Sequence, residues 1–379
     1  MAFKLERGLV SNAVNFLLIV ISVLGTSSLS SAYEETFVKE FNGELIGAFL
    51  ERAEEAKLDV EYVKGALERA SFAKLTKTIL DRRSSLKDEA DPGKWTKHFK
   101  NYERWENGKV FYNEHKDILE SVGVKYHLPP YLLAAFVGVE SLYCANMGDI
   151  KIIDALATAA FFEHRRQELF NQELLEYFLL MQESDSELYS EETRGSFAGA
   201  MGCGQFMPSS IRKFAVDVDG DGLANVFDPV EMIHSIGKFI GSENLWVEGQ
   251  EFLLPTNVVD EDKFRAFQRT TPETGWQTLG WRSSYFMDGL RNEIGLGLSG
   301  NASSPSSYEK GSFSLIRLRH ELGDLYFAGG SNFYAITRYN NSTRYSVTVY
   351  LLSRLIEGVK EGDRDYDLVK SLLPKGFQF

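Results

Sequence analysis

The chain has 379 residues, 54 acidic against 41 basic side chains and a net charge of -13, with 44% hydrophobic and 13% aromatic content. That composition supplies a large core, or about two or three packed subdomains, and excludes wholesale disorder. The acidic balance excludes nucleic acid as a main partner, because phosphate binding needs a cationic surface, but not a ligand bound by hydrogen bonds and ring stacking.

At the N-terminus, Lys4 and Arg7 precede an apolar run from Val14 to Leu24, interrupted by Asn15 and Ser22. A Ser-rich tail ends in Ser30-Ser31-Ala32. This is the layout of a secretory signal over residues 1–32, and the chain is expected to be exported. The run is short of the roughly 20 residues of a membrane span, which favours a cleaved signal over a retained anchor.

Residues 33–125 read as a polar helical region, with charge-rich stretches such as Glu51-Arg52-Ala53-Glu54-Glu55 and a breaker at Asp91-Pro92-Gly93. A denser apolar core spans 126–250. Pro129 and Pro130 open a helix that continues from Tyr131 to Leu142. Asp154 is expected to cap a helix starting at Ala155. Apolar residues at helical spacing, Leu169, Phe170, Leu174, Leu175, Phe178 and Leu179, predict a helix from Gln167 to Met181. From 195 to 228 the abundance of Gly and Asp predicts loop, and a helix follows from Val230 to Ile240. Residues 251–335 read as a small β insertion, with strands at Phe313–Arg319 and Leu325–Phe327. Residues 336–379 return to the core through a helix at Thr343–Val359. The expected fold class is mainly α (α+β), a lysozyme-like catalytic core with an N-terminal helical region.

Within that core one residue stands out. The helix from Tyr131 is apolar on every side, hence buried, and Glu140 is its one charged residue. Burial and the negative end of the helix dipole both oppose ionisation, so Glu140 is expected to hold its proton near neutral pH, as a glycosidase acid must. The alternative is a Glu paired with an Arg inside the fold. The loop Gly195–Ser210 allows backbone to approach a ligand closely, and Gln205 can bond a sugar amide or hydroxyl. Two cysteines, Cys144 and Cys203, are too few for a disulfide scaffold or a Cys-rich zinc site; in an exported protein they can form one bridge. The string Gly295–Gly300 fits a dinucleotide fingerprint only as letters, with no preceding strand, and reads as a loop. Neither a His-Glu-x-x-His motif nor a Gly-x-Ser-x-Gly elbow is present.

Asp217, Asp219, Asp221, Asn225 and Asp228 place oxygen ligands at positions 1, 3, 5, 9 and 12 of an EF-hand-like loop, 217–228, with Gly222 at the sharp turn and the Leu223 carbonyl available. A structural Ca2+ ion bound by Asp217, Asp219, Asp221, Leu223 and Asp228 is expected, against a plain Asp/Gly-rich turn. Asp at the last position is shorter than the usual Glu.

Six segments in order, Val137–Glu140, Asp154–Thr158, Arg165-Arg166, Gly195–Ser210, Asp228–Val230 and Asn332–Asn340, resemble the lytic murein transglycosylase B family, membrane-bound and soluble forms alike. The resemblance covers roughly 95 to 360, and the runs Gly-Gln-Phe-Met-Pro-Ser and Ile-Thr-Arg-Tyr-Asn are specific to it. It implies cleavage between N-acetylmuramic acid and N-acetylglucosamine without water, leaving a 1,6-anhydro end. Glu140 matches the family's single catalytic carboxylate, which protonates the leaving oxygen and then takes the proton of the sugar's C6 hydroxyl. The substrate's N-acetyl carbonyl stands in for the second carboxylate of ordinary glycosidases.

By motif position, Ser196 and Gln205 would contact the sugar, and Phe206 and Met207 would line the cleft. Tyr339, Asn340 and Tyr345 would frame it, and Arg165 and Arg166 would reach outer sugars or stem peptides, unless the two arginines are a solvated helix face. Calcium in the corresponding loop of soluble members supports the metal reading. The implied partners are peptidoglycan glycan strands in the periplasm or cell envelope, with a monomer expected and assembly with other cell-wall enzymes left open.

The chain departs from the pattern at Leu169, where a Tyr is usual, and at Cys144 and Cys203, where a glycine and an aromatic are usual. The paired change implies a disulfide bracing the cleft, against two independent buried residues. Closing a loop of about 60 residues stabilises by on the order of 4 kcal/mol in the chain-entropy account. A hydrolytic muramidase of the same fold and a non-catalytic peptidoglycan-binding protein are the rival readings.

Overall fold

A computed structural model describes residues 33–34, 43–85, 103–162, 164, 166–242, 246–250, 252–258, 262, 285–286, 296–298, 312–320, 323–373 and 377. The expected signal, the Asp91-Pro92-Gly93 breaker and Arg165 lie outside the described residues. In chain order the elements are β1 (Tyr33–Glu34), α1 (Gly43–Glu55), α2 (Val60–Arg69), β2 (Phe72–Ala73), α3 (Lys74–Ser85), α4 (Glu103–Glu114), α5 (Lys116–Tyr126) and α6 (Pro130–Ser141). There follow β3 (Ile150–Lys151), α7 (Ile152–Phe161), α8 (Gln167–Ser184), β4 (Arg194–Gly195), α9 (Pro208–Phe214) and α10 (Pro229–Gly241). The last part holds β5 (Leu253–Val258), β6 (Tyr285–Phe286), β7 (Leu296–Leu298), β8 (Ser312–His320), β9 (Gly323–Gly329), α11 (Ser331–Tyr339), α12 (Thr343–Glu357) and α13 (Tyr366–Leu372). The chain divides into two compact units, each made of two separated stretches: 1–89 with 140–236, and 90–139 with 237–379.

The first unit is built around α7, every residue of which is buried. Its sequence is apolar apart from Asp154 and Thr158, so it forms the centre on which other helices pack. Phe49 of α1 meets Phe161 of α7 edge-on at 5.6 Å and Phe178 of α8 at 6.1 Å. The strand pair β1–β2 was not expected from sequence. Asp154 does not cap the helix, which begins at Ile152. It lies buried in the first turn and accepts a hydrogen bond from Ser71 N–H at 2.8 Å. Thr158 accepts from Ala73 N–H at 2.9 Å. Two polar side chains on one face of α7 thus satisfy the backbone of the segment that crosses it. Burial pushes the Asp154 carboxyl up to about 6, against the lowering effect of the Ser71 hydrogen bond.

The expected loop at 195–228 contains a helix, α9. Pro208 at its start signals the helix in the sequence, but seven residues are too few for a periodic pattern. Buried Glu173 of α8 receives both Ser209 N–H at 3.0 Å and Ser209 Oγ–H at 2.7 Å. Burial pushes this carboxyl up to about 7; the bonds from Ser209 pull the other way.

In the second unit, α5 packs closely on the end of α10. A Cβ on Gly237 would stand 2.4 Å from Val122 and one on Gly241 2.8 Å from Tyr126, so both positions need glycine. The β insertion is one five-stranded antiparallel sheet of order β6-β8-β9-β5-β7. Both expected strands lie within β8 and β9, which pair from Ser314↔Gly329 to His320↔Gly323. The stretch read as a loop at Gly295–Gly300 instead supplies β7, where Gly297 pairs with Asn257. Helix α12 begins at a Ser342 cap and ends at Gly358, φ 83°, as a left-handed C-cap requires.

Candidate functional site

Glu140 is 1% exposed near the end of α6. Leu132 to Val139 ahead of it are buried as well, as their apolar sequence dictates. Ser141 follows, fully buried, and its hydroxyl joins two segments: it donates to the Cys203 carbonyl at 2.6 Å and accepts from Cys144 N–H at 2.9 Å. Beyond it Leu142, Tyr143 and Cys144 stand in sequence at φ 55°, 61° and 67°. For residues other than glycine this left-handed region costs on the order of 1–2 kcal/mol each. Cys144 and Cys203 are joined, with Cα atoms 4.5 Å apart.

The Gly195–Ser210 loop is folded on its own backbone. Ser196 Oγ accepts from Ala200 N–H at 3.0 Å and Ala198 N–H at 3.3 Å, and Ser196 N–H donates to the Ala200 carbonyl at 2.8 Å. Met201 and Phe206 exchange both backbone bonds, at 2.8 and 2.9 Å. At Gly202, φ 74°, a Cβ would stand 2.1 Å from the Val226 carbonyl oxygen. Gln205 sits at φ 53°. Its Nε2 donates to the Met147 carbonyl at 3.0 Å and the Gly202 carbonyl at 2.9 Å. One amide hydrogen therefore ties the loop to the segment that follows Glu140, the other closes the loop on itself, and the oxygen is the part of Gln205 left to meet a ligand.

Other expected site residues fall in several places. Phe206 and Met207 are buried, at 2% and 3% exposure, and underpin the loop more than they face solvent. Ser196 and Arg166 are half-buried, with Arg166 at the start of α8. In the second unit Tyr339, Tyr345 and Phe136 form an aromatic cluster, with Phe136 4.8 Å from Tyr339 and 6.3 Å from Tyr345. Asn340 is 1% exposed and its Oδ1 has no hydrogen-bond partner among the described residues. A buried amide oxygen without a donor is costly unless a ligand or water supplies one.

The acidic loop brings two of the expected residues together with one that was not expected. Oxygens of Asp217, Asp219 and Glu231 lie within 4.8 Å of one another. One oxygen of Asp228 caps α10, its Oδ1 accepting from Val230 N–H at 2.8 Å and Glu231 N–H at 3.1 Å. Asp221 Oδ1 accepts from Leu223 N–H at 2.8 Å and stands outside the cluster. Sequence reasoning closed the loop at twelve residues. The Asp228-Pro229 pair reads as a cap followed by a first-turn proline, and Glu231 reaches the loop from the first turn of α10. Gly222, φ 93°, makes the expected turn.

Residues 42–354 match the family described as Transglycosylase SLT domain. The chain belongs to that family. Its members' class follows: this is a peptidoglycan lytic transglycosylase, a lyase. The transglycosylase is 37% identical over 279 residues to membrane-bound lytic murein transglycosylase B of Escherichia coli strain K12, covering 72% of this chain and 70% of that protein. It is 30% identical to the Escherichia coli lytic transglycosylase Slt35, covering 83% of this chain and 93% of that one; the structures with bulgecin A and with calcium superpose at TM-scores of 0.67 and 0.66. SltB3 of Pseudomonas aeruginosa in complex with NAG-anhNAM-pentapeptide is 25% identical, with 82% and 78% of the two chains covered and a TM-score of 0.62. The transglycosylase shares their mainly helical, lysozyme-like fold. Among its described residues no helix is long and apolar enough to cross a membrane.

Proposed function

We propose that the transglycosylase cleaves the β-1,4 bond between N-acetylmuramic acid and N-acetylglucosamine with Glu140 as its single acid and base, leaving 1,6-anhydro ends. The observation that carries the reading is a buried carboxylate, the one charged residue of an apolar helix, beside a loop whose Gln205 is pinned to the segment following it. Glu140 gives its proton to the leaving oxygen and recovers one from the C6 hydroxyl as that oxygen attacks C1. The substrate's N-acetyl carbonyl stabilises the cationic carbon, a substrate-assisted exception to the two-carboxylate rule. Ser196 and the Gln205 oxygen orient that N-acetyl group. Tyr339, Asn340 and Tyr345 provide stacking and the unpartnered amide oxygen, while Arg165 and Arg166 meet outer sugars or stem peptides. With 1% of its surface exposed, Glu140 meets the sugar only after neighbouring side chains part. The relative solved with an anhydro-sugar pentapeptide supports this product class.

Three further readings belong with this one. Asp217, Asp219 and Glu231 offer the hard oxygen donors that calcium takes, and a relative was solved with calcium; the ion would brace the segment after the Gln205 loop. Residues 1–32 direct export to the periplasm or envelope. The protein works on glycan strands as a monomer. The deciding experiment digests purified peptidoglycan with the parent and with Glu140→Gln and weighs the sugar products. Anhydro ends from the parent and a loss of at least about a thousandfold in the variant are expected. Reducing ends would instead identify a hydrolytic muramidase, and a variant as fast as the parent would remove Glu140 from the chemistry.

A further inference from the structure

The turn behind Glu140 holds a conformation that its own residues disfavour. Leu142, Tyr143 and Cys144 are successive left-handed residues, and none is the glycine, asparagine or aspartate that visits this region readily. Such a run persists only where its surroundings over-determine it. Its ties include two hydrogen bonds to Ser141 and one covalent link. Cys144 N–H donates to Ser141 Oγ at 2.9 Å, Asn146 N–H donates to the Ser141 carbonyl at 2.8 Å, and the disulfide fixes Cys144 to Cys203. Only the last is covalent, and only the last depends on the redox state of the surroundings.

We propose that the Cys144–Cys203 disulfide is a redox-controlled positioning element for the reaction, holding the left-handed turn after Glu140 in register with the Gln205 loop. The reduced enzyme binds glycan strands but turns them over slowly. The inference rests on the assignment of Glu140 as acid and base. The turn leads directly into Met147, whose carbonyl holds the Gln205 amide, and starts at Ser141, whose hydroxyl holds the Cys203 carbonyl. A relaxed turn therefore displaces both sides of the reacting centre, and a misplacement of about 1 Å costs on the order of a hundredfold in rate. Affinity for a long strand is spread over many contacts and changes less. In a reducing compartment the two residues are thiols. In an oxidising one they exchange with a disulfide-donating oxidant: the Sγ–Sγ bond forms, and two electrons and two protons pass to the donor, which leaves as a dithiol. Lytic activity then appears only after the chain has left the cytoplasm.

The test uses the full chain and counts glycosidic bonds cleaved, whichever sugar end results, so that a wrong product assignment and a wrong redox assignment are told apart. Reduction with dithiothreitol, followed by thiol counting and circular dichroism, is expected to lower kcat at least about tenfold with KM within about threefold. Oxidised glutathione restores it. Two double variants then separate positioning from simple stapling. Cys144→Ala with Cys203→Ala loses kcat as the reduced parent does. Cys144→Gly with Cys203→Ala lacks the bridge equally, but glycine adopts φ near 67° without penalty, so it regains most of the parent's kcat. A staple that served stability alone would leave both pairs, once folded, at the parent's kcat, whatever glycine adds to stability at φ 67°. A folded, reduced enzyme with the parent's kcat, or a glycine pair no faster than the alanine pair, overturns the proposal.

Discussion

Glu173 offers a quantitative test of how the loop is anchored. Its carboxyl is 3% exposed, and burial raises it from 4.5 to about 7. Below pH 4.5 it is protonated in the folded and unfolded chains alike. Between 4.5 and about 7 the unfolded chain releases the proton while the folded one keeps it, so stability falls as pH rises. Above about 7 both are ionised and the loss levels off. At about 1.4 kcal/mol for each tenfold change in proton affinity, the total is about 3 kcal/mol. Glu173→Gln removes the titration yet keeps the geometry, since a Gln oxygen can accept Ser209 N–H while its amide donates to Ser209 Oγ. The variant is therefore expected to match the parent near pH 4 and to melt higher at pH 8, by on the order of 5 °C. Melting curves from pH 4 to 8 give the readout. Parallel parent and variant profiles would show that Glu173 keeps no proton on folding, and a Gln variant less stable at pH 8 would show that the charged form is the better partner for Ser209.

Three other outcomes follow from the packing. Gly202→Ala drives a Cβ to 2.1 Å from the Val226 carbonyl oxygen and should cost at least about 3 kcal/mol, whereas Gly358→Ala, with open space around it, should cost only about 1 kcal/mol; thermal melts compare them. Asp154→Ala strips Ser71 N–H of its acceptor and should cost about 1–3 kcal/mol in the same assay. Calcium at about a hundred times its Kd should stabilise the parent by about 2.7 kcal/mol, reversed by chelation. Glu231→Gln should abolish that response and Asp228→Asn preserve it, because asparagine still caps α10.

What could be read from the sequence was whatever repeats along it. Helices α6, α8, α10 and α12 carry long apolar patterns, and their ends fall within a few residues of expectation. Asp154 misled because capping is a local signal, while its actual partner, Ser71, lies 83 residues away. Glu231 was missed for the opposite reason: a fixed twelve-residue template overrode the cap-and-proline signal at Asp228-Pro229. The loop at 195–210 announced itself by composition, but its closure by Ser141, Met147 and Glu173 comes from residues distant in sequence. β7 is three residues long, pairs across the insertion, and has no local signature of its own.

The interleaving of the two units along the chain bears on how the protein is made. Residues 90–139 must wait for partners beyond 237, and those before 89 for partners beyond 140. A nascent chain halted at 139 has therefore finished neither body, and contacts of such wide separation close slowly. A cut at 250 would strand the second body without its closing half.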